Sequence, residues 1–241
     1  ISTEGLTMST IAAADLDTAV CAFFQEGSPI TIETKDLTLR SIQENDLDFM
    51  QNLYTDPITM RLYTDNEKRL ENSGADAWKE EQMKAAKGRV DTFVKRWTAD
   101  RIPFSGFLIS TKNDPRPIGF IVPGFGDNPG QLETAFAIKA DEQGKGFGSQ
   151  AVHAIVQQYI PALIANHYKI YGKPLLVDNK DNTIKAGDPV TEMVATARLD
   201  NGRSIRVQEK AGMNKIGENP NKWGQVRGIY IVKYENPPVK V

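Results

Sequence analysis

The sequence has few of the residues that build disulfides and metal sites, and it has no long apolar segment. Cys21 is the one cysteine among 241 residues, which excludes an internal disulfide and a cysteine-based metal site. The two histidines, His153 and His167, are too few for a typical zinc site, so we expect no metal ion. No run of about 18 apolar residues occurs, so we expect no membrane-spanning helix and no membrane partner.

Neither basic nor acidic residues are present in large excess. The 29 basic and 31 acidic residues give a net charge of -2 and a pI near 5.8. Proteins that bind nucleic acids usually carry a basic face and a high pI, so we expect no nucleic-acid partner. The first residues lack the basic-then-apolar pattern of a secretory signal, which favours a cytoplasmic protein. We expect this protein to be a monomer or a homodimer.

The pattern of apolar residues predicts a mixed sheet. Three strand-like segments, at 104–110, 118–122 and 132–138, follow one another with short turns between them, which predicts an antiparallel meander. The connection from 132–138 to the strand-like segment 193–199 contains a helical pattern and is long enough for a parallel crossover. Pro161 lies inside that helical pattern, so we expect it to kink or divide the helix at Ile160.

We expect one domain with two additions. Hydrophobic residues make up 40% of the chain, which is enough to bury a full core as one domain, placed at 30–241. Residues 1–29 are rich in good helix formers and predict an N-terminal helical extension. The polar segment at about 166–190 predicts an insertion between the helix and the strand that follows it.

One stretch combines a strand, a glycine-rich turn and a helix. Residues 132–138 predict the strand, and the glycines of 143–148 follow it before the helical pattern begins. Glycines leave the backbone bare, and the first N–H groups of a helix have no intrahelical partner. Free N–H groups and the helix dipole favour an anion, most obviously a phosphate, to which Lys145 adds a positive charge. The stretch predicts a site for a ligand that carries a diphosphate.

Three known phosphate-binding patterns compete for these residues. A Walker-type loop requires Ser or Thr after Gly-Lys, but Gly146 follows Lys145. The dinucleotide pattern can be fitted to Gly146, Gly148 and Ala151, but no acidic residue ends a strand about 20 residues later. The third pattern, Q/R-x-x-G-x-G/A, is met by residues 143–148 and resembles the acetyl-CoA pyrophosphate loop of the GNAT superfamily of N-acetyltransferases. The alternative is a glycine turn with a purely structural role.

Two further segments extend the resemblance. Residues 197–213 are similar to the family segment N-x-x-S-x-x-v-x-x-K-x-G-F, with Met213 where Phe is usual. Residues 37–48 resemble the opening L-x-L-R and D of the RimJ/RimL-like branch, which acetylates ribosomal-protein N-termini. The resemblance spans roughly residues 37–234, most of the chain. The order of the three segments along the chain strengthens the interpretation.

The resemblance implies a fold and an activity. The fold would be α+β (mixed α/β), a mostly antiparallel twisted sheet of about six to seven strands, splayed between 132–138 and 193–199, with helices on both faces. The activity would be transfer of an acetyl group from acetyl-CoA, the co-substrate, to an amine by direct attack in a ternary complex. The acceptor would be a protein N-terminus or a small-molecule amine, and the net charge mildly favours a cationic one. The alternative is a catalytically weak acyl-CoA-binding protein of the same fold that acts through a protein partner.

The same resemblance assigns residues to the cofactor. Backbone N–H groups of the loop would hold the diphosphate, the splayed strand would lie beside the pantetheine, and an Asn would hydrogen-bond the pantetheine or the splayed backbone. That Asn is equally interpreted as a helix N-cap. The residues expected to bind acetyl-CoA are Phe136, Ala137, Ile138, Gln143, Gly144, Lys145, Gly146, Phe147, Gly148, Ser149 and Asn201.

Two residues are candidates for catalysis. Glu133 shares a strand face with small residues and lies ten positions before Gln143, close to the spacing of the base in some relatives; a surface ion pair is the alternative. Glu192 is a second choice. Many relatives place a Tyr acid seven residues after the family Asn, but Gln208 stands there, so we assign the acid role to Ser204, directly or through water.

In the GNAT fold that the sequence resembles, the first helices would cover the pocket for the acceptor. Four aromatic residues in this part of the chain are candidates for its wall, and packing in the core is the alternative interpretation for each of them. These residues are Tyr54, Tyr63, Trp78 and Trp97.

Overall fold

The computed structural model describes residues 30–166, 168–170, 188–220 and 224–235. The predicted N-terminal extension lies outside these residues, as does most of the predicted insertion. Two short strands from the ends of that insertion, Lys169–Ile170 and Asp188–Pro189, pair with each other. The proposed domain boundaries therefore remain predictions.

Eight described strands form one twisted mixed sheet in the order β1-β2-β3-β4-β5-β8-β10-β9. All neighbours are antiparallel except β5 and β8, so the predicted α+β class with a mostly antiparallel sheet is confirmed. The strand number exceeds the expected six to seven, because both alternating segments near residue 35 become strands. The strands are β1 (Thr31–Glu33), β2 (Leu37–Ser41), β3 (Phe107–Thr111), β4 (Asp114–Phe125), β5 (Gln131–Ile138), β6 (Lys169–Ile170), β7 (Asp188–Pro189), β8 (Glu192–Arg198), β9 (Asn214–Pro220) and β10 (Val226–Lys233).

Helices cover both faces of the sheet. The first face carries α1 (Leu47–Tyr54), α2 (Pro57–Met60), α3 (Asn66–Ser73) and the long helix α4 (Ala75–Trp97). The second carries α5 (Phe147–Ala154), α6 (Ile160–Ala165) and α7 (Gly202–Lys210). Alternation along the strands separates two cores: Leu108 packs with α1 and α4, whereas Phe107 packs with α5 and α6. No helix in the described ranges is both long and apolar enough to cross a membrane.

The Arg and Asp of the opening motif join strand β2 to helix α1. The Arg40 guanidinium donates two hydrogen bonds to the Asp46 carboxylate, at 2.8 and 2.6 Å. One Asp46 oxygen also accepts from the backbone N–H of Gln43 at 2.8 Å. Asp46 is buried, and such bidentate pairs fix geometry well. The motif therefore orients the first helix over the sheet.

Pro161 divides the helix that follows the glycine loop, at the predicted position. A π-helical turn, Ile155–Tyr159, lies between α5 and α6, and the chain is α-helical again from Ile160. Proline has no N–H to donate, and its ring clashes with the carbonyl four residues before it, so the wider turn falls there. The carbonyl of Val156 accepts a hydrogen bond from the Tyr234 hydroxyl at 3.0 Å. The helix is therefore divided at Ile160, as expected, and the π-helical form of the turn before it is what the sequence did not predict.

The two strands at the centre of the sheet separate after a short contact. β5 and β8 pair only at Gln131, Leu132 and Glu133, opposite residues 192–194. Beyond Glu133, β5 remains paired to β4 but not to β8. The remaining edges of both strands border an open gap, which agrees with the expected splay.

Candidate active site

The loop between β5 and α5 presents a row of unpaired backbone donors. Gly144 and Gly146 have φ angles of +82° and +85°, which glycine adopts readily. A Cβ atom at either position would meet open space. From Gly144 to Ser149, none of the six N–H groups donates to a hydrogen bond within the described part of the chain. Such a row at a helix N-terminus is suited to an anion.

Side chains around the loop fix its position. The Gln143 amide donates to the carbonyl of Ile138 at 2.9 Å and accepts from Arg203 at 3.2 Å. The Lys145 ammonium donates to the Glu142 carboxylate at 2.9 Å, and Lys145 does not line the cleft described below. The positive charge that the sequence assigned to Lys145 is thus partly balanced by Glu142.

The splay opens into a cleft of about 1210 Å³ that reaches both faces of the sheet. This volume exceeds that of a typical small-molecule pocket, so the cleft has room for two substrates. Most of the predicted site residues line it, with Lys145 as the exception. Those brought together are Glu133, Phe136, Ala137, Ile138, Gln143, Gly144, Gly146, Phe147, Gly148, Ser149, Asn201 and Ser204.

The first two turns of α7 bring three polar side chains to the cleft. The Asn201 side-chain oxygen accepts from the backbone N–H of Ser204 at 3.1 Å, so Asn201 is the N-cap of α7. The Gln208 amide donates to the Ser204 hydroxyl at 3.4 Å. The amide oxygen of Gln208 is buried and accepts no hydrogen bond from the residues described.

A network of charges holds the turn before α7. Arg198 is buried and donates to both oxygens of Asp200, at 2.8 and 2.6 Å, and to Glu67 of α3 at 3.2 Å. The hydrogen bond from Arg198 lowers the pKa of Asp200. The network connects the end of β8 to α3, and in this way it positions Asn201.

Glu133 faces the helix α4 from the sheet. It is half-buried, and it alternates with Ala135 and Ala137 on the face that α4 covers. The pKa of Arg89, on α4, is raised first by Tyr63 and also by Tyr54 and Glu133, so these groups lie within electrostatic reach of one another. The positive charge of Arg89 favours the ionised form of a nearby carboxylate.

Glu192 lies apart from the cleft. Its carboxylate accepts a hydrogen bond from the Gln131 amide at 2.7 Å, and it is not among the lining residues. Of the four aromatic candidates, Tyr63 lines the cleft. Trp97 donates to the carbonyl of Gly106 and packs in the core, and Tyr54 stacks on Phe120 at 5.7 Å; Trp78 is also buried.

Sequence reasoning missed the charge of the cleft. Cationic side chains outnumber acidic ones among the lining residues, although the whole chain is slightly acidic. Two of the arginines, Arg89 and Arg96, are seven positions apart, which places them on one face of α4. Two arginines at this spacing, next to the buried apolar stripe of α4, were the feature of the sequence that could have predicted a cationic surface on the cleft. The cationic lining residues are Arg61, Arg89, Arg96, Arg203, Arg206, Lys210 and Arg227, and the acidic ones are Glu133, Glu142 and Asp200.

Comparison with known families identifies the fold. The acetyltransferase (GNAT) domain matches residues 36–214, about three quarters of the chain. The chain belongs to the GNAT acetyltransferase family. As a GNAT acetyltransferase, it transfers an acetyl group from acetyl-CoA to an amine, with acetyl-CoA as the co-substrate. The segment from 36 to 214 contains the glycine loop, the splayed strands and α7.

Solved structures share the GNAT fold at low sequence identity. A GNAT-family acetyltransferase from Bacillus anthracis has a TM-score of 0.56 and 15% identity, over 84% of this chain and 98% of that chain. The ribosomal L7/L12 alpha-N-protein acetyltransferase RimL, in complex with coenzyme A, has a TM-score of 0.54 and 14% identity, over 86% and 98%. A ribosomal-protein-S5-alanine acetyltransferase from Vibrio fischeri has a TM-score of 0.52 and 13% identity, over 88% and 100%. No curated protein matches the sequence significantly.

Proposed function

We propose that the loop from Gln143 to Ser149 binds the diphosphate of acetyl-CoA. The observation that carries the proposal is the row of six unpaired N–H groups at the N-terminus of α5. Arg203 and Arg206, on α7, line the same cleft and supply positive charge beside the loop. Lys145 contributes less, because its ammonium is already paired with Glu142.

The pantetheine then enters the gap between β5 and β8. Phe136, Ala137 and Ile138 line this gap from one side, and Asn201 lines it from the other. A backbone N–H on the free edge of β5 faces the thioester oxygen and stabilises the negative charge that develops there. Holding both reactants in one cleft lowers the barrier by about 7–11 kcal/mol when the alignment is good.

Glu133 and Ser204 are proposed to move the protons. The amine of a small molecule or of a protein N-terminus approaches from the α4 side, where Glu133 accepts a proton from it. Ser204, near the pantetheine end of the cleft, gives a proton to the leaving thiolate directly or through water. The hydrogen bond from Gln208 to the Ser204 oxygen leaves the serine O–H proton free to point toward the thiolate.

Ligand-induced thermal stabilisation tests the cofactor site. Acetyl-CoA and CoA at 100 times their Kd are expected to raise Tm by about 5–10 °C, whereas NADH leaves it unchanged. Gly146→Glu places a carboxylate among the donors and abolishes the shift. Gly146→Ala strains the backbone equally without adding charge, and it retains part of the shift. An equal shift with Gly146→Glu and wild type contradicts the diphosphate site.

Steady-state kinetics tests the proposed base. Glu133→Gln keeps the size of the side chain but accepts no proton, so kcat is expected to fall by about 10²–10⁴-fold. The Kd of acetyl-CoA stays unchanged. Glu192→Gln is the matched control, because Glu192 lies outside the cleft, and it retains wild-type kcat. A Glu133→Gln enzyme with wild-type kcat and pH profile excludes Glu133 as the base.

A further inference from the structure

Two arginines of helix α4 line the side of the cleft from which the amine is proposed to approach. Arg89 and Arg96 extend from α4 toward the face of the sheet that carries Glu133. Within the described ranges, no carboxylate lies at ion-pair distance from either guanidinium. By contrast, Arg61 pairs with Glu67 at 3.1 Å, and Arg227 lies 3.8 Å from Asp65.

Arg96 is held in place by neutral groups. Its guanidinium donates to the carbonyl of Phe104 at 3.3 Å and lies 4.5 Å from the centroid of the Phe125 ring. Burial lowers the pKa of Arg96, and the charge of Arg89 lowers it further, while Asp100 acts in the opposite direction. Arg89 is exposed and Arg96 is half-buried. Their guanidiniums repel each other, and an anion bound between them offsets that repulsion.

The neighbouring groups define the chemistry of the site. Tyr63, Tyr54, Glu133 and Arg96 lie within electrostatic reach of Arg89, and Glu133 is the one carboxylate among these four groups. A carboxylate and a guanidinium that lie close together present opposite charges to a ligand. A small zwitterion, with its ammonium toward Glu133 and its oxyanion toward Arg89, matches this arrangement.

We propose that Arg89 and Arg96 bind an oxyanion on the acceptor, so that the substrate is a small amine that also carries a carboxylate or a phosphate. The inference rests on the proposed function, because it places the amine beside Glu133. It adds an anionic group to the cationic acceptor that the net charge mildly favours. The arginines select the substrate, and they take no part in the transfer itself.

Matched pairs of amines test the proposal and separate the two oxyanions. α-Amino acids are compared with their amides, and O-phosphoethanolamine with ethanolamine, by following CoA release. We expect kcat/KM to be about tenfold or more higher for the anionic member of one pair, since charged hydrogen bonds discriminate at this level. The pair that shows the preference identifies carboxylate or phosphate. The proposal is overturned if every neutral member reacts as well as its anionic partner, or if no anionic amine reacts.

Substitutions of the arginines test where the oxyanion of the substrate binds. Arg89→Gln and Arg96→Gln are expected to bring the ratio within each pair close to one while the Kd of acetyl-CoA stays unchanged. Arg61→Gln is the control, because Arg61 lines the cleft but pairs with Glu67, and it keeps the wild-type preference. A preference that persists in both α4 variants overturns the proposal.

A binding measurement distinguishes a failure of the proposed oxyanion site from a failure of the proposed acetyl-CoA site. Inorganic phosphate is titrated into CoA-saturated protein, where the diphosphate loop is already occupied, and Tm is followed. Stabilisation in the wild type that is lost in Arg89→Gln supports the oxyanion site, and equal stabilisation in both contradicts it. Failure of CoA itself to bind contradicts the proposed function instead.

Discussion

Asn201 has one observed role and one proposed role, which a pair of substitutions separates. Its side-chain oxygen caps α7 through the N–H of Ser204 at 3.1 Å, and the residue also lines the cleft proposed to bind acetyl-CoA. Asn201→Ala removes the cap, which costs about 1 kcal/mol of unfolding free energy. For a chain of this size, that loss lowers Tm by about 2–4 °C.

Asn201→Asp removes the second role and keeps the first. A carboxylate oxygen still accepts from Ser204, and its charge gains about 0.3–1 kcal/mol from the N-terminal end of the helix dipole. The same substitution eliminates an amide donor and introduces a negative charge into the cleft proposed to bind the diphosphate of acetyl-CoA. We therefore expect stability to follow the order Asn201→Asp, wild type, Asn201→Ala, from highest to lowest. Acetyl-CoA affinity follows a different order: wild type, Asn201→Ala, Asn201→Asp.

The assay uses ligand-free protein for stability and calorimetric titration for affinity. Urea midpoints give the unfolding free energies, and acetyl-CoA Kd values are measured below each variant's Tm. Asn219→Asp is the control for added charge, since Asn219 is exposed on β9. If Asn201→Asp is as unstable as Asn201→Ala, the capping argument fails. If it binds acetyl-CoA as the wild type does, Asn201 does not touch the cofactor.

Three further substitutions test the packing around the cleft. Gly119→Ala places a Cβ against the backbone carbonyl oxygen of Ala137, on β5, and should destabilise by about 1–3 kcal/mol in urea melts, whereas Gly217→Ala, in open space, should not. Tyr159→Phe leaves a buried carbonyl without its donor, so Tm should fall by a shift equivalent to about 1–3 kcal/mol; an unchanged Tm contradicts this. Asp200 has a lowered folded-state pKa, so its stabilisation is present above about pH 4 and is lost as the pH falls further. Asp200→Asn should flatten the acid limb of the stability curve, and an equally steep limb refutes the role of Arg198.

The glycine loop could be predicted from the sequence because its signals are local. Leu132 to Ile138 alternate as a strand, and Gly144 and Gly146 occupy positions that require positive φ. The helix that follows has a regular apolar stripe. Each of these features depends on neighbouring residues, so no knowledge of the rest of the fold was needed.

The charge of the acceptor side could not be predicted in the same way. Arg89 and Arg96 reach the cleft only because α4 crosses the sheet above β4 and β5, which is a tertiary arrangement. The pairing of Lys145 with Glu142 depends on the conformation that the loop adopts. The π-helical turn before Pro161 was not predictable either, because a helix can accommodate the missing N–H of a proline by a kink, a break or a wider turn.

The three-residue contact between β5 and β8 divides the sheet into two ribbons. One ribbon, β1 to β5, is formed by residues 31–138 of the chain, and the other, β8 to β10, by residues 192–233. The strands of each ribbon follow one another along the chain, and the longest connection within a ribbon, between Ser41 and Phe107, carries α1 to α4. A ligand held in the gap contacts both ribbons and bridges the edges of β5 and β8 that are not paired with each other. When acetyl-CoA binds, amide hydrogen exchange should therefore slow more in β8 and β10 than in β2 and β3. The bound ligand links the two ribbons, so the smaller ribbon can no longer unfold locally without losing the contacts of the ligand.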